Sequence, residues 1–504
     1  MKIFAQRRRN FFFGLLILLA AAMVVAACGS APAPEPATEE APAAEEAPAE
    51  EMSTDLEEEV EIFTWWTSGG EAAAVQQAFD TFNSYYPDTE IINATVAGGT
   101  GTNARAVLAT RLSGGDVPDS WQALGGVGFK AQYIDTGYAA PLQDLFEEEG
   151  WFDVYPQLLL DMVSDENGVP YMVPVNIHRA NELWYNKAVV ADAGVEIGET
   201  MTFDQFFEYA EAIKASGVDP LCVGDSGIWT QAHLLESVMV GKLGADGWNG
   251  LWDGSVSFDD PKVKEAMETY SQMLNYINSD HSALSWDQAV KKVIEGKCAF
   301  TVMGDWSYGE FVNAGMTDNV EFGWVSVPGT DNIFVGLSDG FTLGAGSPPH
   351  PKAATEWLRV AGGKEAQEKL NPLKGSICAR TDCDPAVFGE YLQWALNNSQ
   401  TGEMVGSMVH GAAAPPDFQQ AFTDAITLFL VDGDVETFSS ALVQAAADSG
   451  LSSGAVAAPA EESEEMEAAT DLEEEVEIFT WWTSGGEAAA VQQAFDTFNS
   501  YYPD

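Results

Sequence analysis

Basic side chains are scarce in this chain: 22 lysines and arginines stand against 78 aspartates and glutamates among 504 residues, a formal net charge of -56. So acidic a surface excludes nucleic acid as a partner and repels anionic lipid headgroups, so membrane contact must come from attached lipid rather than a basic patch. Acidity alone names no substrate. Histidine is rarer still, with five in all (His178, His233, His281, His350, His410), and none falls at a zinc-like spacing with the cysteines. No metal site and no cofactor is expected. Cysteine is equally sparse, at five positions: Cys28, Cys222, Cys298, Cys378 and Cys383.

What is present begins at the N-terminus. Arg7, Arg8 and Arg9 precede a charge-free run from Phe11 to Ala27, which Val25-Ala26-Ala27-Cys28-Gly29 closes. The run is shorter than a comfortable membrane span and reads as an export signal. It resembles a bacterial lipoprotein signal, which implies a signal at residues 1–28 and a lipidated Cys28 heading the mature chain. An uncleaved anchor is the alternative and would place the remainder outside the membrane just the same. Arg8-Arg9-Asn10-Phe11-Phe12 also resembles a twin-arginine signal, so the export route stays open. Residues 29–59, repeating Ala, Pro and Glu, hold too few large apolar groups for a core and form a linker that like charges extend. In an oxidising compartment the other four cysteines can pair. Cys378 and Cys383 enclose a short loop and either form a disulfide or remain two thiols; the spacing of Cys222 and Cys298 says nothing.

Beyond the linker, strand-like runs Val60 to Trp66, Thr89 to Val96 and Asp119 to Ala123 alternate with helical patterns. One helix carries Val75, Ala78, Phe79, Phe82 and Tyr86; the next, from Asn103 to Leu112, carries Val107, Leu108 and Leu112. This alternation predicts a parallel sheet with right-handed crossovers, whose strand ends gather ligands. Trp65, Trp66 and Gln122 fall at those ends. Further on, Thr202 opens a helix to Ser216, Asp259-Asp260-Pro261 opens one to Asn278, and Ser285 caps one from Trp286 to Glu295 that leads into a strand, Cys298 to Met303. A body spanning residues 60–454 exceeds what one core usually serves, so two lobes are expected. Lobe 1 takes about 60–172 with a return near 335–380, and lobe 2 about 173–334 with the C-terminal helices.

Residues 455–469 form a second acidic linker, and residues 470–504 repeat residues 54–88 without a change. One strand and one helix cannot bury their own apolar face. A tandem duplication cut short, an error of sequence assembly, and a segment that exchanges with its twin all fit.

Trp65-Trp66 followed by Thr67-Ser68-Gly69-Gly70-Glu71 places flat aromatic faces at a turn into a helix, which suits the apolar C–H patches of sugars, although paired tryptophans are also ordinary core. Glu-Ile-Phe-Thr-Trp-Trp (61–66) and the run Asn93 to Leu108 resemble the sugar-binding proteins of bacterial ABC importers, particularly the glucose- and mannose-type branch. The likeness extends to about Leu451 through Val173 to Arg179, Trp229-Thr230-Gln231, Leu284-Ser285-Trp286, Met303 to Trp306, Leu337-Ser338-Asp339, Asn371 to Ser376 and Val409-His410-Gly411. The resemblance implies an α/β, two-lobed periplasmic-binding-protein-like fold, each lobe a mainly parallel sheet flanked by helices, with the ligand cleft between the lobes.

It also implies a cleft lined by Trp65, Trp66, Glu71, Gln122, Trp286, Asp339, Lys374 and His410. Carboxylates accept sugar hydroxyls and the lysine donates to oxygens. Asn176 and His178 fall near the crossover between lobes, as hinge packing or as contacts. Leu124 stands where the family usually has a histidine that bonds the sugar, which leaves the choice of sugar open. The implied partners are a glucose-like hexose or short oligosaccharide, ABC permease subunits and a membrane reached through the lipid, for a monomeric receptor without catalysis. The rivals are a secreted glycoside hydrolase using Glu71, Asp305 and Asp339, and a surface glycan adhesin.

Overall fold

The computed structural model describes residues 55–98, 101–346 and 348–451; the export signal, most of the first linker, the second linker and the C-terminal copy lie outside these. Twelve strands organise the described residues: β1 (Glu59–Thr64), β2 (Glu90–Thr95), β3 (Ser120–Leu124), β4 (Met172–Pro174), β5 (His178–Arg179), β6 (Glu182–Asn186), β7 (Asp219–Leu221), β8 (Cys298–Met303), β9 (Phe322–Ser326), β10 (Ile333–Leu337), β11 (Asp339–Leu343) and β12 (Glu403–Gly406). They form three sheets, ordered β2-β1-β3-β11-β4, β12-β10-β5 and β7-β8-β6-β9. Helices flank them, and the chain is mixed α/β as expected.

The expected crossovers are there, with β1 parallel to both β2 and β3. The sheets as wholes are mixed rather than mainly parallel: β11 runs antiparallel to β3 and β4, and β6 runs antiparallel to β8 and β9. The reason is topological. β4, β6, β9 and β11 lie where the chain passes between sheets, and a strand entering a sheet on such a return need not keep the direction that a helical crossover imposes. Short β5 and β10 pair at this crossing, where Gly336 and Leu337 face Arg179 and His178.

Helix Gly69–Tyr85 buries Ala74, Val75, Ala78, Phe79 and Phe82, the stripe read from its periodicity. Phe79 and Phe341 both meet the Trp357 ring, at centroid distances of 5.3 and 5.1 Å, so helix and sheet share one aromatic core. Thr202 caps helix Phe203–Ser216 by accepting the Gln205 N–H at 3.2 Å. The helix opened by Pro261 stops at Met273 rather than Asn278. Ile277 instead bridges to Leu221, and Asn278 donates its N–H to the Leu221 carbonyl, so the edge of the sheet claims this backbone.

Two disulfides close the fold. Cys378 pairs with Cys383, their Cα atoms 6.5 Å apart, and Cys222 with Cys298 at 6.0 Å. The parallel register of β7 on β8, Asp219 opposite Cys298, brings the second pair together. Among the described residues no helix is long and apolar enough to cross a membrane.

Candidate functional site

The site is built at the end of β1. Thr64 donates its hydroxyl to Gln122 Oε1 at 2.5 Å, and the Trp65 N–H donates to the same oxygen at 3.2 Å. The neighbouring strand β3 thus fixes the turn that presents both tryptophans. Gln122 spends its other amide group on Asp339, donating to Oδ1 at 2.8 Å. It is buried and is not among the residues lining the cavity, and both its amide groups brace the wall in this conformation.

The other seven expected residues do line one cavity: Trp65, Trp66 and Glu71 from the turn and helix after β1, Asp339 from β11, Lys374 from the end of helix Lys364–Lys374, Trp286 from the first turn of helix Trp286–Ile294, and His410 from the turn after β12. Leu124 lines it too and stands opposite Asp339 in the register of β3 on β11. Four more residues complete it: His178, expected near the crossover as hinge packing or as a contact, and Trp229, Trp306 and Leu337, which were not selected from the sequence. All four stood in runs that carried the resemblance, Trp229-Thr230-Gln231, Met303 to Trp306, Leu337-Ser338-Asp339 and Val173 to Arg179, which was the available signal.

Charges on the cavity wall are paired. Lys374 Nζ lies 3.1 Å from Glu71 Oε1 and sits over the Trp66 and Trp306 rings at 5.3 and 5.9 Å. Asp339 accepts from Gln122 on Oδ1 and from Asn176 Nδ2 on Oδ2 at 2.9 Å, and His178 Nε2 lies 3.1 Å from that same Oδ2. His178 turns its second nitrogen to Asp305, which also accepts the Arg179 N–H at 2.9 Å. Asn176 and His178 are therefore both supports of Asp339, and His178 is a wall residue besides.

Burial opposes charge on Asp339, but the hydrogen bond and charge of His178, with Lys374 and Asn176, overcome it and hold the carboxyl at about 2. Burial likewise opposes charge on His178, and the neighbouring Asp305 outweighs it, raising the imidazole above its usual value. Burial raises Glu71 despite Lys374. A carboxyl held near 2 against 3.8 when free adds stability above pH 4 that disappears as pH falls towards 2, a loss of about 2 kcal/mol. Acid titration of the unfolding free energy is expected to show this window, and Asp339→Asn to remove it.

These commitments leave no free pair of acids for hydrolysis. Asp305 is occupied by His178 and Arg179 and does not line the cavity.

Behind His410, the fold collects His233, Glu236 and His410, whose nearest donor atoms lie within 4.8 Å of one another. Burial lowers His233 to about 4 and raises Glu236 to about 7, the latter against bonds from Ser407, Val409 and Met408. Sequence spacing missed this cluster because His410 is brought to the helix Trp229–Asp253 only by β12 packing.

The cavity is shut in this conformation. Its volume is about 30 Å³, too small for a pyranose, and the Gly70 N–H, next to Glu71, donates to Glu310 Oε1 at 3.1 Å. Gly70 and Gly309 make the approach possible: a Cβ on either would come within 2.6 Å of the Leu373 carbonyl oxygen. A larger cavity of about 490 Å³ is walled by apolar groups such as Leu158, Met162 and Ala413 and lacks a comparable set of polar partners.

Two lobes meeting over a cleft of tryptophans and paired charges define a protein that captures a small solute by closing on it. Residues 66–368 match the bacterial extracellular solute-binding protein family, and the chain belongs to that family. It is 34% identical over 396 residues to an ABC transporter extracellular-binding protein of Pyrococcus horikoshii, covering 78% of this chain and 88% of that one. A probable sugar-binding periplasmic protein of Mesorhizobium japonicum is 32% identical, covering 77% of this chain and 92% of that one. Among solved structures, the bacterial solute receptor AcbH superposes with a TM-score of 0.67 at 16% identity, over 78% of this chain and 98% of that one. Members of this family are receptors rather than enzymes.

Proposed function

We propose that this chain is the sugar receptor of an ABC importer, held at the outer face of the membrane by lipid on Cys28 and by the linker 29–59, and working as a monomer. One observation carries the reading: five tryptophans and His410 wall a cleft whose polar groups, Asp339, Glu71 and Lys374, are held in place by their partners. Indole faces cover the apolar side of a pyranose while fixed charged groups meet its hydroxyls. The sugar-binding relatives support the same class of ligand. Because a cleft of about 30 Å³ is too small for a pyranose, loading requires the lobes to part about the β5–β10 crossing and to close again on the ligand, a shift between two populations. A permease would then read the closed form.

Calorimetry against D-glucose, D-galactose, D-xylose and short oligosaccharides tests this. Stoichiometric binding of at least one is expected, and silence towards all of them, with binding of a peptide or phosphate compound instead, would overturn it. Fatty-acid labelling is expected to depend on Cys28 and to vanish in Cys28→Ala. Leu124 leaves an apolar gap beside Asp339, and Leu124→His is expected to shift preference among hexoses by about tenfold, as one added hydrogen bond does. An unchanged sugar panel would show the position to be neutral.

A further inference from the structure

The cluster behind His410 is wired in one direction. Glu236 Oε1 accepts the backbone N–H groups of Met408 and Val409, at 2.5 and 3.2 Å, and Oε2 accepts the Ser407 hydroxyl at 2.8 Å. A serine has one proton, and once Glu236 is ionised its buried carboxylate takes it. Ser407 Oγ can then only accept, and two groups face it: the His410 N–H at 3.3 Å and His410 Nδ1 at 2.7 Å. The proton of the neutral imidazole must therefore sit on Nδ1, leaving a lone pair on Nε2. Nε2 has no hydrogen-bond partner among the described residues, and the ring lines the cavity beside Trp229 and Trp306.

We propose that Glu236 and Ser407 are positioning residues that lock His410 in the tautomer whose Nε2 accepts a hydrogen bond in the cleft, so that the receptor selects a ligand hydroxyl able to donate there. This rests on the sugar-receptor reading for its ligand but not for its wiring. Burial keeps His410 neutral, with the nearby charges of His178, Arg105 and Asp339 and the neighbouring His233 as smaller influences. Neither residue was selectable from sequence, since Glu236 lies 171 positions from Ser407.

The same three side chains invite comparison with a His-His-Glu metal cage. A first-row divalent ion holds its ligands at about 2.0–2.2 Å, which requires donor atoms about 3.5 Å apart. Here they spread to 4.8 Å, and both Glu236 oxygens already accept bonds. The wiring accounts for the cluster without an ion.

Nitrogen NMR of the histidine-labelled protein without ligand, at about pH 9 where Glu236 carries no proton, reads the tautomer directly. A protonated Nδ1 and bare Nε2 are expected for His410. Glu236→Gln keeps the shape, but its amide can donate to Ser407, which turns the serine proton to His410 and moves the ring proton to Nε2. Ser407→Ala should mix the tautomers, and Ser407→Thr should restore the native one. A native ring protonated on Nε2, or a tautomer unchanged in Glu236→Gln, would overturn the proposal, as would stoichiometric binding of zinc alone that is lost in His233→Ala. With D-glucose and its monofluoro analogues, which accept but cannot donate at the altered position, one analogue should lose about tenfold in the native protein and much less in Glu236→Gln. Failure of every sugar in the panel to bind would count against the sugar reading while leaving the NMR result to decide the wiring.

Discussion

Arg179→Met is expected to cost about 3–5 kcal/mol of stability, seen as a lower denaturation midpoint in urea with an unchanged slope. Arg179 is fully buried where the chain crosses between sheets, its guanidinium 4.5 Å from the Trp394 ring centroid. Nη2 donates to Ser326 Oγ at 2.9 Å and to the Ile333 carbonyl at 3.2 Å, while Nε donates to Asn181 Oδ1 at 3.1 Å and lies 3.2 Å from Glu182 Oε1. Methionine restores most of the volume but none of these bonds. Glu182, whose carboxyl burial already raises well above the usual range, then loses the one adjacent cation among the described residues. Arg179→Met with Glu182→Gln should recover part of the loss, because the uncompensated buried acid is gone. If the single variant unfolds within about 1 kcal/mol of the native protein, the ion pair is dispensable and the crossing is held by packing alone.

Local pattern made the first half of lobe 1 legible. The spacing of Val75, Ala78, Phe79 and Phe82 encodes a buried helical face, and the helix is where that spacing places it. The directions of β6, β9 and β11 were not legible, because strand direction depends on where the chain returns between sheets and no local periodicity records that. Cys222 and Cys298 illustrate the same limit: only the register of β7 on β8 places them together. In the site, residue type told which groups suit a sugar, and seven of eight chosen residues line one cavity. Gln122 was the exception. An amide at a strand end reads equally well as a ligand contact or as a brace, and only the positions of Thr64, Trp65 and Asp339 show that both its groups are engaged.

Trp286→Ala is expected to weaken sugar affinity by about 2 kcal/mol or more, roughly thirtyfold, with little loss of stability. The contrast with Trp66 explains the choice. Trp66 is 1% exposed and meets Phe341 edge-on at 6.2 Å, so removing it also hollows the core of lobe 1. Trp286 is 9% exposed and opens its helix, where Gln288 Oε1 accepts the Ser285 N–H at 3.0 Å whatever side chain follows. In the proposed receptor it belongs to lobe 2, so its ring would reach a ligand held against Trp65 and Trp66 only when the lobes close. On that proposed order, its loss should appear mainly as faster dissociation. Stopped-flow fluorescence would separate the two rates, and calorimetry the affinity. An unaltered affinity would make Trp286 a structural residue of lobe 2; a slowed association with unchanged dissociation would place it in the first encounter rather than in closure.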